Sequence, residues 1–172
     1  MKYLSTLIAI FSIAGCSSTG IPDGVTPVSS FDLERYLGKW YEIARLDHSF
    51  ERGMDQVTAN YSMRDDGGVK VFNRGYLTAE KRWKEAEGKA YFVGDKSTGH
   101  LKVSFFGPFY GSYVVFELDQ ENYQYAFVTG NTREYLWLLS RTPKVEQAVI
   151  DKFLNKAEQL GFETDKLIFV SH

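Results

Sequence analysis

The feature that most constrains this chain is a rhythm. From Trp40 to Arg141, short runs rich in aromatic and β-branched residues are cut by polar or glycine-bearing breaks. The runs are "WYEIARL", "DQVTANYSMR", "VKVFNRGYL", "KRWKEAEGKAYFVG", "HLKVSFF", "YGSYVVFEL", "YQYAFVTG" and "EYLWLLSR". Breaks such as "DDGG", "DKSTG", "DQEN" and "NTR" are short enough for antiparallel hairpins. Eight consecutive strands leave two unpaired edges unless the first meets the last. The simplest arrangement is therefore all-β: an eight-stranded antiparallel up-and-down barrel.

One segment carries a long helical pattern. Val145, Val149, Phe153, Ala157 and Leu160 recur at helical spacing, and Ile150 and Leu154 widen the stripe. Thr142 as N-cap and Pro143 at the first turn predict its start, and Gly161 its end. The eighth run is apolar on both faces, which predicts burial on both. Leu136 and Leu138 are expected beneath a C-terminal α-helix packed outside the barrel, with Tyr135, Trp137 and Leu139 facing in. A last short strand, "KLIFV", is expected near the C-terminus.

Charge and cysteine content narrow the function. A net charge of −2 gives no electrostatic ground for nucleic-acid binding. The single cysteine, Cys16, allows neither an internal disulfide nor a cysteine-based metal site. His48, His100 and His172 fall in a mouth loop, near a base turn and at the C-terminus, so no metal, cofactor or catalytic grouping is expected.

Residues 1–15 pair Lys2 with an apolar run too short to span a bilayer, ending in "IAGC". This resembles the lipobox of bacterial lipoprotein signal peptides. The resemblance implies cleavage before Cys16, lipid on that residue and, with Ser17 following rather than Asp, delivery to the outer membrane. Residues 16–30 hold the lipidated Cys16 and "SSTGIPDGVTPVSS", which reads as a flexible linker. Residues 31–172 remain as the folded body.

Gly38-Lys39-Trp40 follows a short helical turn in "FDLERYLGKWYEIARL", and Arg141 closes the eighth run just before the helix. Between them, "LDQENYQYAFV" keeps Asp119 and a tyrosine. In this order, these regions resemble those of the lipocalins, in particular the bacterial outer-membrane lipocalins of the apolipoprotein D-like branch. The resemblance implies a lipocalin barrel in which Trp40 and Arg141 form a structural plug at the closed base. It also implies a cup holding a fatty acid, phospholipid or lysophospholipid, stored or transported during cell-envelope maintenance.

Alternation sends every second strand residue inward. Counting from Trp40 and Arg141, and helped by the resemblance, Tyr61, Val71, Asn73, Tyr113, Ala126, Val128, Trp137 and Leu139 are expected to face the lumen. Trp137 and Tyr61 are the foremost ligand contacts, and Asn73 is expected to orient a polar head. Glu42 shares the parity of Trp40 and Arg45 opposes it, so Glu42 alone is expected inside. Trp40 begins its strand at the base, which puts "DHSFERGM", the stretch near "TAEKRW", "FFGPFYG" and "GNTR" at the mouth. That mouth carries Phe50, Met54, Trp83, Phe106, Pro108, Phe109 and Tyr110, with Arg52, Lys81 and Arg82 nearby. An apolar rim marks an interaction site, for acyl chains, the bilayer or a second copy in a homodimer. The competing readings are an enzyme on the same scaffold, a filled barrel with an interaction role, and, more weakly, a haem carrier using His48.

Overall fold

A computed structural model of the chain describes residues 18–172. Cys16, Ser17 and the lipobox lie outside them. A short helix α1 (Leu33–Tyr36) is capped by Asp32, whose carboxylate accepts from the Glu34 and Arg35 amides. Eight strands follow: β1 (Gly38–Arg45), β2 (Met54–Met63), β3 (Val69–Leu77), β4 (Arg82–Phe92), β5 (His100–Phe106), β6 (Phe109–Leu118), β7 (Tyr125–Thr129) and β8 (Leu136–Ser140). Each pairs antiparallel with its neighbour, and β1 pairs with both β2 and β8. The barrel is thereby closed, as the strand rhythm predicts.

Helix α2 (Gln147–Gln159) packs on the outer wall. It starts later than Thr142 and Pro143 predict. The Thr142 hydroxyl donates to the Lys144 carbonyl at 2.7 Å, so it closes a local turn instead of accepting from helix amides. Phe153 and Ala157 are fully buried against Leu136, Leu138, Phe127 and Val114. Strand β9 (Ile168–Phe169) pairs with Ala44–Arg45 of β1. It takes the place that β2 vacates at its own bulge around Gln56, whose amide donates to the Ser171 carbonyl.

Two apolar cores result. One fills the barrel around Tyr36, Trp40, Tyr61, Val71 and Leu139. The other lies between the outer wall and α2.

The segment expected as a flexible linker is instead docked from Ser18 onward. Val25 is buried in the outer core, the Val28 amide donates to the Val115 carbonyl, and the Phe31 amide donates to the Ser97 carbonyl. Two apolar side chains and a ladder of backbone bonds outweigh the Ser/Gly/Pro composition that argued for freedom.

Candidate functional site

The base of the barrel is a solid plug. The Arg141 guanidinium carbon sits 3.9 Å from the centroid of the Trp40 ring. Its nitrogens donate to the carbonyls of Arg35, Leu37, Lys39 and Tyr123. The Trp40 indole N–H donates to the Tyr36 carbonyl at 2.8 Å. Gly38 is needed here: its φ is +94°, and a Cβ would meet Arg141 Nη1 at 3.4 Å.

Above the plug lies a floor of tyrosines. Tyr113 Oη is 2.8 Å from Tyr36 Oη and 2.9 Å from Tyr61 Oη. Burial holds all three phenols above their usual range, so they act as neutral hydrogen-bonding groups. Tyr61 and Tyr113 face the lumen as expected, but at the depth of the floor.

The upper half is built differently. Ala59, Asn73 and Ala86 stand opposite one another across β2, β3 and β4, and Val71 faces Gly88. Ala59 and Ala86 leave room that the floor does not, whereas the space at Gly88 is taken by the Phe105 ring, which a Cβ there would meet at 2.8 Å. Val128, Ala126 and Leu139 are buried in the inner core, with Trp137 packed against it. The Asn73 Oδ1 is buried without a hydrogen-bond partner among the described residues. Strand β4 joins β5 only over Lys89–Phe92, and where they part the outer wall carries a cleft of about 180 Å³ among Arg64, Glu87, Lys89, Ser104 and Phe105. Beyond it Lys84 and Ala86, on the same face as Gly88, are exposed. The cup therefore has its opening at this end.

A polar cluster occupies the mouth side of the cup. Register along β1 and β8 slips between Glu42 and Ala44, so that Glu42 opposes Leu139 and Arg45 opposes Trp137. This bulge corrects the expectation that only one of Glu42 and Arg45 faces in. Both are buried, and Arg45 Nη1 donates to Glu42 Oε1 at 2.8 Å. Arg45 also donates to the carbonyls of Glu51 and Met54. Glu51 accepts from the Trp137 indole N–H at 3.1 Å, and its Oε2 lies 2.7 Å from His48 Nε2.

Burial, then the nearby Glu51 carboxylate, push the Glu42 carboxyl well above its ordinary range despite Arg45. Burial also pushes Glu51 up, but bonds and charges from His48, Trp137 and Arg45 outweigh it and hold Glu51 low. Two carboxyls side by side are thus driven apart, one toward the neutral form and one toward the charged.

Arg45, Glu51 and His48 are residues that parity counting missed. His48 is not a solvated loop histidine. It is buried, with its ring 4.1 Å from Phe50 and 5.3 Å from Trp137. The usable signal was the pair of opposite charges at Glu42 and Arg45 inside an apolar strand, which demands a partner arrangement. His100 begins β5, and the His172 ring bonds the Glu42 backbone carbonyl.

At the rim, Phe106 and Phe109 are 82% and 78% exposed, and Phe50 and Trp83 are also exposed. Met54, expected at the rim, is buried beneath it against Gly75. Tyr110 is half-buried on the outer wall, its ring near Tyr91 and 5.1 Å from Lys102 Nζ, rather than on the rim. Arg52 is paired with Asp47, and Arg82 with Glu80. The Lys84 ammonium donates to the Phe50 carbonyl across the mouth.

Comparison with known proteins agrees with this architecture. The family described as lipocalin-like domain matches residues 31–172. The chain is 60% identical over 170 residues to the outer membrane lipoprotein Blc of Vibrio cholerae, covering 99% of this chain and 98% of that protein. It is 28% identical over 178 residues to mouse apolipoprotein D, covering 97% and 92%. Among solved structures, insecticyanin from the tobacco hornworm superposes with a TM-score of 0.70 at 23% identity, covering 89% and 87%, a likeness of fold.

Proposed function

The chain belongs to the lipocalin family, and from that premise we propose that it carries one lipid, a fatty acid, phospholipid or lysophospholipid, in its cup. It is a lipid-anchored protein of the outer membrane, like the lipoprotein relatives it matches. We read Cys16 as the anchored residue. The observation that carries the proposal is the division of the lumen. Aromatic rings and the Trp40–Arg141 pair close one end, while small residues, Ala59 and Ala86, line the other.

An acyl chain suits that space. Each methylene taken from water contributes about 0.8 kcal/mol, offset in part by ordering the chain. Trp137, Val71, Val128 and Leu139 supply apolar wall. The polar head then belongs near Asn73, whose free carbonyl oxygen accepts a donor. Tyr61 and Tyr113 form the floor of the cup. A neutral Glu42 spares the cup an unmatched buried charge.

The test is titration of delipidated protein with lysophospholipids and fatty acids while following tryptophan emission. Trp40 is sealed beneath Arg141, and Trp83 lies outside against Arg74. The response should therefore come from Trp137, saturate, and vanish in Trp137→Phe while calorimetry still detects uptake. No uptake of any lipid refutes the carrier and favours a filled barrel. Recovery of chemically altered lipid favours an enzyme.

A further inference from the structure

The docked N-terminal segment says where the anchor must lie. It runs along the outside of the barrel from base to mouth when read backward from Phe31. The Phe31 amide bonds Ser97 in the turn between β4 and β5, at the base, and Ser29 accepts from Gln120 in the turn between β6 and β7. The Asp23 carbonyl accepts from Arg133, in the mouth loop between β7 and β8. Finally the Ser18 and Gly20 carbonyls accept from the backbone and hydroxyl of Ser112, and the Ser18 hydroxyl donates to the Tyr110 carbonyl. Ser112 and Tyr110 are among the first residues of β6, directly after the tip formed by Phe106, Gly107, Pro108 and Phe109.

Cys16 is two residues before Ser18. Two residues reach no farther than about 7 Å, whatever their conformation. A lipid on Cys16 therefore enters the bilayer beside the Phe106–Phe109 tip, and the strap leaves little slack for the barrel to turn over. Among the described residues, the two most exposed large apolar side chains stand at that place. We propose that residues 18–30 are an orienting strap that holds the open end of the barrel against the bilayer, with Phe106 and Phe109 entering the lipid. This rests on the reading of Cys16 as the lipidated residue, and not on what occupies the cup. The lipid surface is favoured over a second copy because the anchor brings that surface to the tip in every molecule. Access for a lipid then runs from the membrane into the cup without crossing water.

The experiment uses the full acylated chain in vesicles of phosphatidylethanolamine and phosphatidylglycerol. Phe109→Cys gives the sole free thiol once Cys16 is acylated, and it is labelled with an environment-sensitive fluorophore. Lys96→Cys, in the exposed base turn, is the comparison. Circular dichroism confirms the fold of each. The label at 109 should shift to the blue and be quenched by lipids brominated in their acyl chains, and the label at 96 should do neither. A further variant inserts ten Gly/Ser residues between Ser17 and Ser18. It lowers the effective concentration of the tip at the surface about tenfold, read as label returned to water.

Equal behaviour at 109 and 96 overturns the proposal. A blue shift at 109 without bromine quenching overturns it in favour of pairing between copies. An insertion without effect shows that the strap does not orient the barrel. Mass spectrometry of the N-terminal peptide separates the underlying reading: an unacylated Cys16 removes the anchor, and the proposal falls with it.

Discussion

Glu42 makes a prediction whose sign is opposite to the usual one for a carboxylate. The perturbation is Glu42→Gln, which keeps the shape and an acceptor for Arg45 while fixing the neutral state. In the folded protein burial and Glu51 hold the Glu42 carboxyl well above its ordinary value of 4.5. In the unfolded chain it ionises near that value. Between the two the native state binds one more proton than the unfolded state. Stability therefore falls as pH rises through this window, by at most about 1.4 kcal/mol per pH unit. Its contribution is fully present below 4.5 and is lost as pH climbs through the folded-state value. Glu51 has the opposite sign: held low in the fold, it stabilises above its unfolded value and loses that contribution as pH falls.

The assay is urea denaturation of both proteins at unit steps from pH 5 to pH 8. Subtracting the two curves removes the groups that do not interact with Glu42, and leaves Glu42 with its coupling to Glu51. The stability of the parent relative to Glu42→Gln should decline with pH from the start of that range, then level off once the native carboxyl ionises. A flat difference would show that Arg45, 2.8 Å away, keeps Glu42 ionised throughout, and the argument from burial would be wrong.

Phe153→Ala empties a fully buried site between α2 and the barrel wall, and should cost about 3–5 kcal/mol in the same denaturation assay. Arg141→Met removes the charged donor to four carbonyls and uncovers Trp40. A loss of about 3 kcal/mol and a red shift of the deeply placed Trp40 emission are expected. Asn73→Leu replaces an unpartnered buried oxygen with carbon. The lipid-free protein should be unchanged or about 1 kcal/mol more stable, while lysophospholipid titration shows weaker binding. Phe106→Ser with Phe109→Ser should leave stability within about 0.5 kcal/mol, because both rings are exposed, yet reduce vesicle association measured by flotation.

The barrel was legible because its signals are local and repeated. Alternation, short polar turns and a lone helical stripe each speak to one element, and they agree. Leu136 and Leu138 under α2, with Trp137 and Leu139 in the lumen, follow from a strand apolar on both faces. The docked strap was not legible. "SSTGIPDGVTPVSS" has the composition of a free linker, and what holds it is mostly backbone bonding to Ser112, Val115 and Ser97, which no side-chain pattern announces. The start of α2 failed for a related reason, since the Thr142 hydroxyl donates to the Lys144 carbonyl and accepts from no helix amide.

The polar cluster shows where parity itself breaks down. Counting by twos from Trp40 puts Arg45 outside, where a charge costs nothing. One extra residue at Ile43 turns it inward, and that single slip creates obligations. A buried guanidinium needs acceptors, so Glu42 must be near, and the first mouth loop must fold back to offer the Glu51 and Met54 carbonyls. With the loop drawn in, the Glu51 carboxylate reaches Trp137 and His48, and His48 is pulled from solvent. The bulge thus determines the wall of the cup next to the foremost ligand contact, and shapes the mouth loop above it. A variant that deletes Ile43 removes the extra residue itself, so simple alternation returns with Glu42 in, Ala44 out and Arg45 still in. Because it keeps this wall and the tyrosine floor, it should retain lipid uptake, and its cost should be the stability lost with the buried Ile43 side chain, read by urea denaturation.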